Sequence, residues 1–389
     1  MELGQSIVIK RLGINSQQVC QHLDNACAAG SPTSNLIFEF DNQFSEVAKI
    51  LGIQLAPRSD PDKSFAPATE GTILGVHYDT ARWNWAIPED KFYRLMHNLK
   101  ELLTADEIEQ QLLWSVVGKL LHVAPLVPSG KFHLFHIIKA NAFSTEPKTS
   151  VPLNADFRRQ IWFWFTLLRT CSGRVAIPDP DARLPAWSLD IFTDAAGGSP
   201  DGSGRGAGAV AVGWWAYIPW GEAINLGHLA PNGGQLDRRM SALELFGPLL
   251  AITAAAKLCQ GKPLRFWVDN SGSVFIRKKG YSTSCPLSSV LVSALAQVAA
   301  ALGCKVEVIK ITRCSTPLAD MADALSKAAF SRFRQLSLVH QDLEIPLVGL
   351  LPPRALLHWV ARPTVDWNLG DKLLSELETQ GLSLQAVSL

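Results

Sequence analysis

The sequence predicts a chain of mixed helix and strand, α+β in its first part and α/β with a mixed sheet in its second. Three observations carry this. Residues 88–145 show helical spacing of apolar side chains. Residues 177–187, IPDPDARLPAW, are a proline-rich connector of the kind that separates domains. Beyond Ser188, short apolar runs alternate with helical patterns, as they do where strands and helices build one mixed sheet.

Taken in order, residues 1–80 read as short strands and one helix. NQFSEVAKIL at 42–51 places Phe44, Val47, Ala48 and Leu51 on one face, and Gly52 closes it. A polar, proline-bearing stretch then leads to TILGVHYDT at 72–80, which reads as a strand. Pro88 opens a helix whose apolar face is Phe92, Leu95, Met96, Leu99, Leu102 and Leu103. Thr104 and Glu107 have the spacing of a capping box for the helix that follows. RRQIWFWFTLLRT is an aromatic helix before the connector. In the second part, strands are expected at 189–193, 207–217, 222–228, 264–268 and 305–311, and helices at 241–258, 286–302 and about 318–330. The glycine-rich run at 197–208 reads as a flexible loop.

Composition narrows the class of protein. The chain has 389 residues, 47% hydrophobic and 18% charged, enough for two or three packed domains and too apolar for disorder. A net charge of +1 gives no global basic field, and the local run Arg277, Lys278, Lys279 reads as a solvated loop. The seven cysteines include no CxxC pair and no zinc-ligand spacing, so reduced thiols in an intracellular protein, of cytoplasm or nucleus, are expected. No apolar run approaches the roughly 20 residues of a membrane span.

Four acids stand where a metal-dependent nuclease needs them: Asp194 ending LDIFT, Glu244 in SALEL, Asp269 ending LRFWV, and Asp323 in LADMADALSK. Strand ends are where α/β proteins gather functional groups. Oxygen ligands without His or Cys suit Mg²⁺ or Mn²⁺, and such a cluster accommodates two ions about 3.5–4 Å apart. Each acid also has a structural reading. Asp194 and Asp269 could cap the turns after them, Ser241 and Glu244 have capping-box spacing, and Asp320 competes with Asp323.

Order and context make the resemblance specific. FTDAA, SALEL, WVDNSG and ADALSK, with intervals of 50, 25 and 54 residues, resemble the ribonuclease H family. ADALSK is similar to the ending of reverse-transcriptase-linked members, which favours Asp323 over Asp320. The resemblance implies a ribonuclease H-like domain over 188–330. It implies Asp194, Glu244, Asp269 and Asp323 as catalytic metal ligands, with Asn270 and Ser271 near the phosphate. The implied activity is hydrolysis of the RNA strand of an RNA–DNA hybrid. Two departures stand out: Pro248 falls four residues after Glu244, and no histidine lies between Asp269 and Asp323.

Upstream, HLDN at 22–25 resembles the aromatic-x-Asp-Asp hairpin of reverse transcriptases, and TILGVHYDT resembles their primer grip. IPEDKFYRLMHNLKELL and WSVVGKLLHVAPLVPSGKF resemble thumb and connection helices. The combination is similar to DIRS-type retrotransposon polyproteins. It implies a partial palm at 1–87, thumb and connection helices at 88–150, a linker with the aromatic helix at 151–187, and a tail of unknown role at 331–389. Asp24 is followed by Asn25, and only 21 residues precede the motif, so the resemblance implies a truncated polymerase, inactive in this chain alone. The implied partners are RNA–DNA hybrid or other nucleic acid and element-encoded proteins. The alternative is a non-catalytic binding or interaction remnant. Trp214, Trp215 and Trp220 are expected to pack in the core or hairpin.

Overall fold

Apolar residues at helical and strand spacing collapse into several sheets with helices against them. The structure, a computed structural model, describes residues 19–22, 25–28, 35–50, 68–73, 75–127, 129–176, 189–197, 205–221, 224, 240–313, 315–339 and 348–384. Contacts divide the chain into two units, Met1–Phe92 with Gly173–Asp179, and Tyr93–Ser172 with Pro180–Leu389.

In the first unit, strands β1 (Val19–His22) and β2 (Asn25–Ala28) pair antiparallel, with His22 opposite Asn25. Helix α1 spans Leu36–Ile50, longer at its start than the apolar spacing suggested, and buries Phe40, Val47 and Ala48. Leu51 and Gly52 lie outside the described residues. The expected single strand at 72–80 is instead two, β3 (Glu70–Ile73) and β4 (Val76–Asp79). Gly75 adopts a φ of 79° between them, open to a residue without a Cβ, and lets the chain fold back. With β5 (Asn84–Ala86) and β8 (Arg174–Ala176) they form an antiparallel sheet in the order β3-β4-β5-β8.

Helix α2 (Glu89–Thr104) follows Pro88, whose carbonyl accepts from the Phe92 amide at 2.8 Å; it buries Leu95, Leu99 and Leu102. The expected capping box does not form. The Thr104 hydroxyl donates back to the Lys100 and Glu101 carbonyls of its own last turn, a local bond available to threonine at a helix end. Glu107 lies in β6 (Glu107–Glu109), paired with β7 (Ser150–Pro152), and α3 begins later, at Gln110–Val123. The aromatic helix, α5 (Ala155–Thr170), follows α4 (Phe135–Asn141). Asn154 caps α5 by accepting from the Phe157 amide at 2.8 Å, and Phe157, Ile161, Trp164 and Leu168 recur at helical spacing on its buried face.

The centre of the second unit is a six-stranded mixed sheet, the α/β class expected. Its strands are β9 (Leu189–Ala195), β10 (Gly206–Ala211), β11 (Trp214–Pro219), β12 (Pro263–Val268), β13 (Lys305–Lys310) and β14 (Val348–Leu350). Their order is β13-β12-β9-β10-β11-β14. β9, β12 and β13 run parallel, β10 is antiparallel to β9 and β11, and β14 is parallel to β11. The run expected as one strand at 207–217 is a hairpin, turned at Gly213 with a φ of 88°. Of the strand expected at 222–228, only Ile224 is described, and it is not in a strand; residues 198–204 of the glycine-rich loop also lie outside the described residues.

Helices cover both faces. On one lie α6 (Met240–Ala254), the short α7 (Ala256–Cys259) and, beyond the helix α8 (Ser271–Lys279) that follows β12, α9 (Pro286–Ala301). On the other lie α10 (Pro317–Ser326) and α11 (Phe330–Val339). The expected helix at 318–330 ends at Ser326 because Ala328 takes a left-handed φ of 53°, which terminates the helical ladder. Pro248 does not divide α6, which runs unbroken through it. The tail is built into this unit: β14 extends the sheet. Helices α12 (Arg354–Ala361) and α13 (Leu369–Thr379) bury Leu356, Trp359, Leu369, Leu373 and Leu377 in its core. Trp214 and Trp220 are buried and Trp215 packs on Phe333, all as core and hairpin residues.

One close approach sets the spacing of α6 over β9: a Cβ on Gly247 would stand 2.9 Å from Thr193 Cβ. Gly247→Val is therefore expected to force the helix off the strand and destabilise by about 1–3 kcal/mol. Thermal unfolding should show this as a lower Tm, by roughly 2–4 °C per kcal/mol for a domain of this size. An unchanged Tm would show that α6 is not held there.

Candidate metal centre

Parallel pairing brings two of the acids level. Phe192 of β9 lies opposite Trp267 of β12, with their rings stacked at 6.0 Å, so the residues two further on, Asp194 and Asp269, leave the sheet on the same face. Glu244 sits near the start of α6, which Gly247 allows close onto β9. Gly208, opposite Asp194 on β10, has no side chain to hold off α10: a Cβ there would lie 2.6 Å from Leu325 Cβ. That approach brings Ser326 and Asp323 to the same strand end.

Carboxylate oxygens of Asp194, Glu244 and Asp269 all lie within 4.8 Å of one another. Glu244 is 1% exposed and Asp194 6%. Two full charges at that separation repel by about 3.5 kcal/mol at an effective dielectric of about 20. Burial pushes the Glu244 carboxyl well above its ordinary range, and the charges of Asp194 and Asp269 push it further. Burial also raises Asp194, opposed by a hydrogen bond from the Ser326 hydroxyl. Glu244 Oε2 is buried without a hydrogen-bond partner.

Two cations balance part of this charge. The Arg313 Nε donates to Asp269 Oδ2 at 2.7 Å and lies 3.7 Å from Asp323 Oδ1, and its Nη2 is 4.0 Å from Asp194 Oδ1. Lys327 Nζ bonds both oxygens of the buried Asp323, at 2.7 and 2.8 Å. Asp323 thus neighbours the three-acid cluster through Arg313 and has its own counter-ion. Asp320 pairs instead with Arg332.

The structural readings of these acids separate cleanly. Ser241 lies inside α6 and its hydroxyl donates to Asn270 Oδ1 at 3.1 Å, so it makes no capping box with Glu244. Asn270, rather than Asp269, caps α8, accepting from the Ser273 amide at 3.0 Å. Its Oδ1 is engaged in this packing, whereas Ser271 is exposed at the helix start. Asn25 opens β2, and Asp24 lies outside the described residues. Arg313, Ser326 and Lys327 were missed as site residues. Ser326 and Lys327 stand within ADALSK itself, and Arg313 follows the end of β13, where the other strand-end groups gather.

The donor set fits a hard divalent cation. Three carboxylates converge, one oxygen among them is buried and unpartnered, and no nitrogen or sulfur ligand is present in the group.

No protein-family model matches the chain, and no curated protein matches it. Among solved structures it is similar to the foamy viral protease-reverse transcriptase in complex with double-stranded DNA. The identity there is 10% and the TM-score 0.33, over 80% of this chain and 48% of that one. It is also similar to the N-terminal ribonuclease H domain of a Mycobacterium tuberculosis protein, solved as a maltose-binding-protein fusion. There the identity is 19% and the TM-score 0.24, over 38% of this chain and 98% of that one. The chain spans about half the length of the foamy viral protein. Among the described residues no helix is long and apolar enough to cross a membrane.

The raised carboxyls fix the sign of a pH effect. A carboxyl whose folded pKa exceeds its unfolded value, near 4.5 for Glu244, stabilises the fold below that value. That stability is lost as pH rises through the folded pKa. Metal-free protein should therefore lose stability as pH rises above the ordinary carboxyl range, and melt lower at pH 8 than at pH 5. Glu244→Gln should remove part of that loss and raise the Tm at pH 8 by roughly 2–4 °C, about 1 kcal/mol. Thermal scans in EDTA at both pH values check this; a Tm lowered equally at both would show that Glu244 is needed neutral or charged alike.

Proposed function

We propose that this chain is a metal-dependent ribonuclease H acting on the RNA strand of RNA–DNA hybrids. The observation that carries the reading is the mutual approach of Asp194, Glu244 and Asp269 at the ends of two parallel strands and one helix. The order Asp194, Glu244, Asp269, Asp323 and the ADALSK segment support it. So does the strand order, in which the strand bearing Asp194 lies between a hairpin and two parallel strands. Asp194, Glu244 and Asp269 would hold a first Mg²⁺ or Mn²⁺, and Asp323 with Asp194 a second. When bound, such ions activate water and stabilise the leaving oxygen of a phosphodiester.

The chain's own residues do the rest. Burial of Asp194 and Glu244 sharpens their preference for a compact cation. Ser326 fixes the orientation of Asp194, and Lys327 that of Asp323. Arg313, a little over half exposed, reaches from solvent into the acids and offers a guanidinium face to an incoming phosphate.

The upstream half takes no part in this chemistry in our reading. Asn25 offers a neutral amide where a polymerase needs a second carboxylate, and the chain by itself is proposed to lack polymerase activity. The likeness to DIRS-type elements rests on the sequence run from HLDN to the connection helices.

Arg313 and Lys327 favour a second reading, a nucleic-acid-binding remnant without catalysis, because they already neutralise carboxylates the ions would need. Cleavage of a labelled RNA–DNA hybrid in Mg²⁺ and in Mn²⁺ separates the two. Cutting of the RNA strand, reduced at least about 100-fold by Asp269→Asn, is expected for a lost metal ligand. Folded protein that cuts in neither metal supports the second reading.

A further inference from the structure

A cleft that shares no residue with the carboxylate centre opens between the two tail helices. It encloses about 700 Å³, a size at which proteins commonly hold ligands, and the buried Trp359 and Leu369 lie at its base. Arg354 opens α12, His358 follows one turn later and Arg362 ends the helix, so the three border the cleft along one wall. Lys372 and Glu376 of α13 border it from the other side.

The charges of this cleft do not cancel. Asp366 Oδ2 accepts from Lys372 Nζ at 2.6 Å, and its Oδ1 from the Asn368 amide at 3.0 Å. Glu376 accepts with both oxygens from the start of α12, from the Arg354 amide at 2.7 Å and the Ala355 amide at 2.9 Å. Both acids are thereby engaged by the chain's own groups. Among the described residues, neither the Arg354 nor the Arg362 guanidinium makes a hydrogen bond or an ion pair.

Exposed arginines are ordinarily held by solvent alone, and a helix C-terminus favours the charge of Arg362. Arg354 has the opposite setting: it takes the first position of α12, where the dipole disfavours a cation. Neither arginine belongs to the packing of the tail, which rests on Leu356, Trp359, Leu369, Leu373 and Leu377. Two unpaired guanidiniums over an apolar base suit carboxylates, whose planar pair of oxygens matches the guanidinium fork.

Two observations favour a peptide over a nucleic-acid strand. Asp366 and Glu376 bring negative charge into the same cleft, which opposes a continuous polyanion more than a segment with a few separate carboxylates. Leu351 and Leu357, close to Arg354 in the chain, are exposed and offer apolar contact that a phosphodiester backbone does not use. The eight residues of α12 span about 12 Å, the reach of about four residues of extended chain. We propose that the cleft between α12 and α13 docks an extended acidic peptide segment of a partner protein. Arg354 and Arg362 each pair one carboxylate, the two carboxylates lying about four residues apart.

The test is a fluorescence-anisotropy titration of the full chain against a labelled peptide carrying two glutamates four residues apart, with leucine and serine between them. The parent should bind it. Arg354→Gln with Arg362→Gln, melting as the parent does, should weaken binding about tenfold or more. Raising the salt from about 0.05 to 0.5 M should weaken the parent's binding and leave the double variant's nearly unmoved. Lys305→Gln with Lys310→Gln is the charge-matched control and should bind like the parent. These are two exposed lysines on β13, at the opposite edge of the sheet from β14.

No binding by the parent up to about 1 mM peptide would overturn the proposal. So would an equal loss in the control, which would mark a bulk charge effect. A short RNA–DNA hybrid in EDTA that the Arg354/Arg362 variant holds more weakly, while the peptide is held as before, would assign the cleft to nucleic acid instead. Self-association of the parent, absent from the variant, would assign it to a second copy of the chain. None of these readouts uses a metal ion, so a failure of the nuclease reading leaves the docking site standing.

Discussion

Asp194, Glu244 and Asp269 are forced together against their own repulsion, and much of the second unit can be understood as the means of doing so. Three carboxyls within 4.8 Å, two of them nearly inaccessible to water, raise each other's free energy whenever they ionise. The fold answers with short-range devices: the Ser326 hydroxyl on Asp194, Arg313 spanning three acids, and Lys327 closing both oxygens of Asp323. Glu244 Oε2 receives nothing. A site with one unsatisfied buried oxygen and an excess of acid is poised for a divalent cation, which would supply at once the charge and the coordination that the protein withholds.

Holding that arrangement takes a rigid frame. β9 and β12 are adjacent and parallel in the middle of the sheet, flanked on both sides by other strands, so the two aspartates project from its best-supported part. α6 and α10 approach opposite faces where glycines, Gly247 and Gly208, leave no side chain in the way. The tail helices α12 and α13 add Trp359, Leu369, Leu373 and Leu377 to the apolar layer beneath α9. The described residues of the tail, 348–384, thus complete the core on which the site is mounted.

Several features were legible in the sequence because they are local. The alternation of β-branched and aromatic runs with helical spacing marked most strands and helices after Ser188. The acids were visible because each ends a strand or stands in a helix with a distinctive neighbourhood. Other features misled for equally local reasons. AGAVAVGWWAY and TILGVHYDT look continuous to a pattern of apolar residues, but Gly213 and Gly75 turn the chain within them. Thr104 and Glu107 have the spacing of a cap, yet the Thr104 hydroxyl bonds its own helix and Glu107 enters a strand. Arg277, Lys278 and Lys279 look like a solvated charge run until Phe132 and Lys131 are placed against them.

The sequence by itself determined the class of fold, the order of the acids and the chemistry that hard oxygen donors favour. These follow from periodicity and residue type along the chain. Only the tertiary structure decided which acids meet. Asp194, Glu244 and Asp269 converge across intervals of 50 and 25 residues because parallel pairing sets two strand ends level and a glycine lets one helix close upon them. It likewise decided that Arg313 and Lys327 face those acids and that Lys131 joins Arg277. Distances between residues far apart in sequence depend on packing, and packing is not written in any local pattern.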